Sequence, residues 1–391
     1  MKVKLGDICT FQSGGTPSKG TEEFFNGTIP WITTTALNGG KIDETQAVDW
    51  ITEKAIEKSA AKLVPAFSIM VGTRVGVGKV AVNAVQMSTS QDIISLLNID
   101  ENWWSKDYLC KYIQGKNTFL NSQARGATIK GIKIDVLANL ELEEIPLEEQ
   151  VRISETIDKV KEILDARKSE LLELDKLVKA RFIEMFGDPI QNPKGWDMPL
   201  IEEVVANEKN ALKAGPFGSA LKKEYYVASG YKIYGQEQVI SGDCTFGDYY
   251  IDEERYKSLE NCAVQPGDVL ISLVGTYGKL LIMPEVFEPG IINPRLMKIT
   301  FDKEMVNPYY FKFFFQSESL KKALSENTHG GTMDILNLGI VRKIKMPLPP
   351  LKLQNEFVDF VYQADKSKVA IQKSLDETQV LFDSLMQKYF G

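Results

Sequence analysis

A long helical pattern occurs twice in this chain of 391 residues. Shifting the sequence by 204 positions places Pro146 on Pro350 and Gly187 on Gly391, so each copy opens with proline and ends at glycine. Proline suits a first helical turn and glycine suits a helix stop. Between them, apolar residues recur at steps of three and four, broken in the first copy only at Arg167 and Arg181, which is the spacing of a coiled coil. About forty residues make a rod on the order of 60 Å long. The apolar positions are Ile153, Ile157, Val160, Leu164, Leu171, Leu174, Val178 and Met185 in the first copy, and Phe357, Val361, Ala364, Ile371, Leu375, Phe382, Leu385 and Tyr389 in the second.

The repeat extends beyond the helices. The same shift pairs Gly126 with Gly330 and Thr128 with Thr332, upstream of the two helices. A period near 200 residues indicates duplication of a whole domain, because solenoid repeats are much shorter. We therefore divide the chain at the helices, and the four predicted segments are residues 1–144, 145–188, 189–347 and 348–391.

Each segment that precedes a helix has a mixed α/β pattern. Residues 69–71 and 80–82 form β-rich runs between glycine-rich turns, and residues 269–274 predict a buried strand. Residues 103–119 and their counterpart, residues 307–322, have apolar side chains at helical spacing.

Composition narrows the class of protein. The four cysteines are far apart without paired spacing, which predicts neither a zinc site nor a disulfide framework and favours a reducing cytoplasm. No apolar run is long enough to cross a membrane, and the N-terminal residues do not resemble a signal peptide. We expect a cytoplasmic protein without a membrane partner.

The net charge of −7 is unevenly distributed. Residues 1–125 carry 13 Lys+Arg against 12 Asp+Glu, whereas residues 141–188 carry 8 against 14. The first helix is thus either a solvated acidic face or a surface for a basic partner. Any contact with nucleic acid has to come from local basic clusters in the globular segments.

Several short motifs follow one another in a fixed order along the two copies. They are Lys4-Leu5-Gly6-Asp7-Ile8, Ile29-Pro30-Trp31-Ile32, Ile145-Pro146-Leu147-Glu148-Glu149-Gln150, Phe186-Gly187-Asp188 and Pro266-Gly267-Asp268-Val269-Leu270. With this order, the chain resembles the specificity (S) subunits of type I restriction–modification enzymes over essentially its whole length.

The resemblance implies an α+β fold with an internal pseudo-two-fold repeat. Residues 1–144 and 189–347 would be two target recognition domains, each reading one half of a split sequence in double-stranded DNA. The long helices would pack as an antiparallel coiled coil that acts as a spacer. The subunit would be non-catalytic and without a cofactor, and it would dock two adenine-N6 methyltransferase subunits and the restriction subunits.

Three motifs suggest enzymes and are weak. Residues 307–310, Asn-Pro-Tyr-Tyr, approach the catalytic motif of adenine methyltransferases, but they also suit a helix start, and the chain has no Gly-x-Gly cofactor loop that joins a strand to a helix. Residues 72–79 lack the spacing and the Ser/Thr of a phosphate loop. His329 is the single histidine, with no nucleophile near it in sequence.

In the first domain, we identify six candidate DNA contacts. Residues 32–36 either present hydroxyl and methyl groups to base edges or form a half-buried strand. Residues 72–79 are expected to form a β-hairpin, and residues 88–92 lie at a strand entrance, where local turn bonding is the alternative role. The candidates are Thr33, Thr34, Thr35, Arg74, Lys79 and Gln91.

In the second domain, the candidates come from four short segments. A basic loop is expected to contact phosphates, two glutamines suit adenine, and a hairpin and a strand entrance match those of the first domain. The candidates are Lys213, Ser219, Lys222, Lys223, Gln236, Gln238, Tyr277, Lys279, Asn293 and Arg295.

Two other functions compete with the leading hypothesis. One is a stand-alone adenine-N6 DNA methyltransferase that carries its own recognition domains. The other is a coiled-coil scaffold that does not bind DNA and whose helices pair between chains.

Overall fold

The structure is a computed structural model, and the residues that it describes are 1–126, 130–217, 219–273, 279–326 and 336–391. They form two units. Unit 1 consists of Met1–Ser169 and Gln372–Gly391, and unit 2 consists of Glu170–Ile371. Each long helix is therefore shared between the units, whereas the sequence suggested a division into consecutive segments. The reason is that each helix packs on a different globular part at each of its ends.

Unit 1 contains two mixed sheets and a short two-stranded ladder. Its elements are β1 (Lys2–Lys4), α1 (Leu5–Ile8), β2 (Thr10–Ser13), β3 (Phe25–Ile32), β4 (Lys41–Ile42), β5 (Asp49–Ile51), α2 (Glu53–Lys58), β6 (Leu63–Val64), β7 (Ile69–Gly72), β8 (Val80–Asn83), β9 (Met87–Thr89), β10 (Ile93–Leu97), α3 (Lys106–Gly115), α4 (Asn117–Gln123), α5 (Ile134–Ala138) and β11 (Glu141–Glu143), followed by α6 (Leu147–Phe186), which continues into unit 2. The strand orders are β2-β10-β7-β8-β4, β5-β3-β9-β6 and β1-β11.

Unit 2 contains two sheets. Its elements are β12 (Leu212–Ala214), β13 (Tyr231–Tyr234), α7 (Gln236–Ser241), β14 (Tyr250–Ile251), α8 (Glu253–Ser258), β15 (Val269–Ser272), β16 (Leu280–Ile282), β17 (Gly290–Ile292), β18 (Leu296–Ile299), α9 (Pro308–Phe315), α10 (Glu318–Glu326), α11 (Leu338–Arg342) and α12 (Leu351–Phe390), which ends in unit 1. The strand orders are β12-β18-β15-β16 and β14-β13-β17. Short 3-10 helices occupy Glu22–Phe24, Glu44–Gln46, Ile201–Glu203, Lys223–Tyr225 and Glu260–Cys262.

The two units share one topology. The order β2-β10-β7-β8 corresponds to β12-β18-β15-β16, and β5-β3-β9 corresponds to β14-β13-β17. In each second sheet the central strand pairs in parallel with a later strand, β3 with β9 and β13 with β17. The domain duplication predicted from the repeat is confirmed in the described parts of both units.

Local signals fixed most element boundaries. Ser105 caps α3 through its side chain, and Asn307 caps α9 with Pro308 at the first position of the helix. The single helix predicted over residues 103–119 is two helices, because the backbone at Lys116 leaves the helical conformation. In the same way, the pattern over residues 307–322 divides into α9 and α10.

Within unit 2, the end of α6 packs against the start of α12. Phe186 meets Phe357 edge to face with ring centroids 5.5 Å apart. Further along, Asp175 of α6 pairs with Lys368 of α12 at 2.7 Å. Residue numbers thus fall along α12 as they rise along α6, so the helices are antiparallel. Pairs of aromatic rings in this geometry add roughly 0.5–1.5 kcal/mol each beyond the area that they bury.

Within unit 1, the same arrangement is repeated with the helices exchanged. Phe390 at the end of α12 is 2% exposed and belongs to one core cluster with Ile153 and Ile157 from the start of α6. Its ring lies 5.4 Å from that of Tyr108 on α3. The corresponding neighbour of Phe186 in unit 2 is Tyr310 on α9, at 4.8 Å.

The predicted coiled-coil seam is buried most completely toward the start of each helix. In α6 the residues from Ile153 to Leu164 that lie on the seam are buried, whereas Leu171 and Leu174 are half-buried. Near the end of α6 the predicted residue Val178 is buried, but the next buried residues are Phe182 and Phe186, and Met185 is only half-buried. A straight helix drifts relative to a strict heptad, and here the globular part of unit 2 determines which face is covered.

Candidate DNA-recognition surface

The first-domain candidates collect where two parallel strands end. Because β3 and β9 run in parallel, their carboxyl ends lie at the same edge of the sheet. Thr33 follows β3 and Gln91 follows β9. Thr34 lies close to the start of the neighbouring hairpin, since a methyl group added at Gly72 would be 3.5 Å from its side chain.

Residues 33–36 form a turn and not the half-buried strand that the sequence also allowed for residues 32–36, because β3 ends at Ile32. The hydroxyl groups of Thr33 and Thr35 lie 2.8 Å apart. Thr34 is only 4% exposed, so its side chain does not fit the prediction that it contacts DNA. Thr33 and Thr35 are the members of this group that solvent reaches.

The hairpin predicted over residues 72–79 is present. Strands β7 and β8 pair antiparallel, and Arg74 and Lys79 project from the connection with exposed side chains. Arg74 lies 3.8 Å from the carboxylate of Asp92, in the turn that follows β9. This pair is largely solvated, so it contributes little stability and leaves the guanidinium accessible.

Residues 88–92 divide into a buried and an exposed part. Ser88, Thr89 and Ser90 are at most 4% exposed, and their hydroxyl oxygens are without a hydrogen-bond partner in the described part of the chain. Gln91 is exposed and Asp92 is half-buried. Of this segment, therefore, only the last two side chains can reach a ligand at the surface.

Three of the second-domain candidates, Gln236, Asn293 and Arg295, form a hydrogen-bonded cluster at the equivalent edge. Gln236 follows β13 and Asn293 follows β17, two strands that pair in parallel. The side-chain amide of Gln236 donates to the hydroxyl of Ser272 at 2.8 Å and accepts from Arg295 at 3.4 Å. Asn293 in turn accepts from the backbone N–H of Arg295 at 2.9 Å. The side chain of Gln236 is thus held by two neighbours before any ligand binds.

Gln238 has a structural role, and its side chain is not accessible to a base. Its side chain is 2% exposed, its carbonyl oxygen accepts from the N–H of Gly235 at 2.8 Å, and its amide donates to the carbonyl of Phe246 at 2.6 Å. Both ends of the amide are used to hold the first turn of α7. The sequence could not distinguish Gln236 from Gln238, because both are glutamines in the same turn.

The basic segment is spread over two elements. Lys213 is half-buried within β12, while Ser219, Lys222 and Lys223 are exposed further along. Lys222 also approaches Glu224 at 3.3 Å, and this exposed pair leaves the ammonium group available. The exposed lysines satisfy the first requirement for a phosphate contact, since such contacts need accessible cations.

Lys279 is exposed at the start of the strand that returns from the second hairpin. Tyr277, in the connection itself, and His329 lie outside the described residues.

Backbone hydrogen bonds show which residues correspond between the two surfaces. The N–H of Ser90 donates to the carbonyl of Ile32 at 2.9 Å, and the N–H of Asn293 donates to that of Tyr234 at 2.8 Å. Ser90 and Asn293 are therefore equivalent positions. The small, buried hydroxyl side chain of Ser90 in unit 1 corresponds to the longer, half-buried amide side chain of Asn293 in unit 2.

A second pair of bonds identifies a change of charge. The carbonyl of Asp92 accepts from the N–H of Thr73 at 2.8 Å, and the carbonyl of Arg295 accepts from that of Leu273 at 2.9 Å. Asp92 and Arg295 thus occupy one position of the shared framework with opposite charges. Neither Asp92 nor Ser272 stands out in the sequence, because each acquires its neighbours only when the strands pair.

The weak enzyme motifs have structural explanations. The side-chain oxygen of Asn307 accepts from the N–H of Tyr309 at 2.9 Å, and its side-chain amide donates to Asn355 at 2.9 Å, so residues 307–310 cap a helix.

Burial raises the pKa of the Cys9 and Cys110 thiols to about 12, which removes the thiolate that a nucleophile requires.

The part of the chain that the structure describes contains no group of three or more His, Cys, Asp or Glu residues able to hold a metal. None of its helices is both long enough and apolar enough to cross a membrane.

The family profile described as the type I restriction modification DNA specificity domain matches residues 1–174 and again residues 193–378. The chain belongs to this family. The two matches correspond to the two copies of the repeat, and together they cover most of the sequence.

Individual members of the type I specificity family are similar over the full length. The specificity subunit of the type I restriction enzyme MjaIX from Methanocaldococcus jannaschii is 22% identical, with 98% of this chain and 91% of the relative aligned. A solved structure reported for complex assembly and conformational transition of the type I R-M system has a TM-score of 0.66 at 17% identity, covering 100% of this chain and 97% of the other. The S subunit from M. genitalium has a TM-score of 0.54 at 16% identity, covering 100% and 96%. At these identities the two structures support the fold.

Proposed function

We propose that this chain is the DNA-specificity subunit of a type I restriction–modification system and that it reads a bipartite target in double-stranded DNA. Residues 1–144 and 189–347 are the two recognition domains. The helical segments 145–188 and 348–391 are the spacer that fixes the separation of the half-sites. The chain docks adenine-N6 methyltransferase subunits, two in number, together with restriction subunits, and it performs no catalysis itself in the cytoplasm.

One observation supports this proposal most directly. The two units share a backbone framework, yet equivalent surface positions carry different side chains, such as Asp92 in unit 1 and Arg295 in unit 2. A shared scaffold with different readers is what recognition of two unlike half-sites requires, because base edges are discriminated by side chains and not by the backbone. The half-sites are therefore expected to differ in sequence.

The rival function as a stand-alone methyltransferase has less support. The residues that approach a catalytic motif, 307–310, are engaged in capping α9, and Tyr310 is fully buried. Incubating the purified chain with DNA and labelled S-adenosylmethionine tests this directly. Methyl transfer without any other subunit would contradict the proposal.

The scaffold alternative predicts helices that pair between chains. In each unit, however, the two long helices already pack on each other within one chain. Sedimentation of the isolated chain is expected to show a monomer, and a dimer that depends on the helices would favour the scaffold.

The decisive experiment maps adenine methylation in the host genome with this gene intact and deleted. Deletion is expected to remove methylation from one split motif whose two halves differ. Restoring the gene with Gln236→Ala should alter the preference in one half-site only. Unchanged methylation after deletion would disprove the proposed function.

A further inference from the structure

An exposed aromatic residue lies beside the second-domain recognition surface. Phe217 is 89% exposed, whereas the preceding Pro216 is buried. The ring therefore projects from a segment that is anchored on its N-terminal side. The carbonyl of Phe217 also accepts from the N–H of Ala220 at 2.8 Å, which bends the chain behind it.

The anchor places this segment against the recognition residues. Gly215 lies so close to Asn293 that an added Cβ would be 1.9 Å from the Asn293 carbonyl oxygen. The N–H of Gly215 also donates to the carbonyl of Leu296 at 2.9 Å. Phe217 thus follows, two residues later, a contact with the same turn that presents Asn293 and Arg295.

The first domain has an equivalent position with a different side chain. Gly14 donates to the carbonyl of Ile93 at 3.0 Å, as Gly215 does to Leu296. Counting two residues from each glycine makes Thr16 the counterpart of Phe217, and Thr16 is also exposed. This position therefore carries different side chains in the two domains, as do the equivalent positions Asp92 and Arg295.

We infer that Phe217 is a specificity-determining residue that contacts the C5-methyl group of a thymine in the half-site read by the second domain. This inference rests on the proposed function. The neighbouring Gln236, Asn293 and Arg295 carry the side chains that pair with base edges in the major groove, where the thymine methyl is the apolar group presented by a base. Thr16 fills the same role in the first domain with a smaller methyl-bearing side chain.

Phe217 is not the most exposed apolar side chain by any margin, because Val286 is equally exposed. Val286 therefore serves as a matched control. Val286 is also 89% exposed in the same unit, but it lies in the segment before β17 and away from the strand ends that carry the readers. Val286→Ala removes an equally exposed apolar side chain without removing a reader.

The test selects bound sequences from a random duplex library with the full chain in its native complex. The wild type and Val286→Ala are expected to give the same bipartite motif. Phe217→Ala should lose the preference for thymine at one position in one half and leave the other half unchanged, while Phe217→Leu retains part of it. A Phe217→Ala motif identical to the wild-type motif would overturn the inference.

A second library, synthesised with deoxyuridine in place of thymine, tests the methyl contact itself. The wild type should lose its preference at the same position, with affinity reduced about fourfold, as expected for one methyl-sized group. If the preference survives deoxyuridine but not Phe217→Ala, the ring acts by inserting between bases, and the methyl contact is wrong. If the wild type selects no motif from either library, the proposed function itself fails.

Discussion

The backbone N–H of Ser105 donates a hydrogen bond of 2.9 Å to the side-chain oxygen of Gln150, and this bond joins the cap of α3 to the first turn of α6. The amide nitrogen of Gln150 donates to the carbonyls of Trp103 and Ile145 at 2.9 and 3.0 Å. The whole side chain is buried. The glutamine of the Pro-Leu-Glu-Glu-Gln motif is thus a connector between a recognition domain and its helix.

Unit 2 repeats this arrangement. Gln354 accepts from the N–H of Asn307 at 2.8 Å and donates to the carbonyls of Met305 and Pro349 at 2.9 and 2.8 Å. It too is completely buried. The repeat in sequence therefore preserves a three-bond connection, and not only a helical pattern.

We expect Gln150→Glu to destabilise the protein. An ionised carboxylate cannot donate a hydrogen bond, so the two buried carbonyl oxygens that now accept from the amide nitrogen would lose their donor. Leaving buried groups unpaired costs about 1–3 kcal/mol. Denaturant unfolding followed by circular dichroism measures the loss. Gln363→Glu, at an exposed position of α12, is the control. Equal stability of the two variants would show that the Gln150 connection contributes nothing.

Gly115→Ala should loosen the end of α12 from α3. A Cβ at Gly115 would be 2.5 Å from the Cβ of Phe390, which is buried. We expect a destabilisation of about 1–3 kcal/mol, typical of an overpacked core. Gly20→Ala, where the nearest atom is 3.9 Å away, is the control. In a Phe390→Gly background, which removes the contacted Cβ, the cost of Gly115→Ala should shrink, and full additivity would argue against this contact.

A buried ion pair distinguishes the core of unit 2 from that of unit 1. Lys298 pairs with Asp268 at 3.1 Å, and their side chains are 4% and 0% exposed. Ser95 in β10 and Lys298 in β18 occupy equivalent positions in the two strand ladders. Ser68 and Asp268 are also equivalent, because the backbone carbonyl of each accepts a hydrogen bond from the next strand of the hairpin. The same framework therefore holds two serines in one unit and a charged pair in the other.

Lys298→Met is expected to cost about 3–5 kcal/mol, because it leaves the Asp268 carboxylate buried without its cation. The double variant Asp268→Ser/Lys298→Ser should recover most of that loss, since unit 1 folds with serine at both positions. Thermal and denaturant unfolding compare the three proteins. A double variant that is less stable than Lys298→Met would contradict the equivalence of the two sites.

The stability of unit 2 should depend on the ionisation of Glu288. A hydrogen bond from Lys232, whose side chain is 1% exposed, holds the pKa of Glu288 below its usual 4.5, and Tyr250 also donates to this carboxylate. Because the folded-state pKa is depressed, the contribution is present above pH 4.5 and is lost as the pH falls through the folded-state value. The stability difference between the wild type and Glu288→Gln should shrink over that range. Glu285→Gln, an exposed neighbour, serves as the control, and a constant difference across pH would refute this expectation.

The exposed lysines of the second domain should affect affinity without affecting sequence preference. Lys222→Ala and Lys223→Ala are each expected to weaken binding to all duplexes equally. Each lost phosphate contact reduces the slope of log K against log salt by about 0.9. Lys257→Ala is the control, because α8 follows the end of β14 that pairs with the start of β13, away from the strand end that precedes Gln236. An altered motif with an unchanged salt slope would instead make these lysines base readers.

The sequence by itself determined the duplication and the two long helices, and it indicated the candidate segments at the strand ends. Periodicity, terminal proline and glycine, and the shift between Gln150 and Gln354 are properties of neighbouring residues, and they predict local structure without knowledge of contacts. The hairpin carrying Arg74 and Lys79 was found for the same reason. Thr34 and Gln238 were not separable from their neighbours, because burial depends on which face of a turn packs against the sheet.

Only the tertiary structure decided which side chains act together. Asp92 and Arg295 are recognised as equivalent through backbone bonds between strands that are distant in sequence. Phe217 becomes significant because Gly215 approaches Asn293, about eighty residues later in the chain. Contacts of this kind arise because residues 293–295 join the carboxyl end of β17, which pairs in parallel with β13, to β18, which pairs antiparallel with β12 and β15. The candidate recognition surface is therefore a product of chain topology, whereas the repeat that builds it twice is present in the linear sequence.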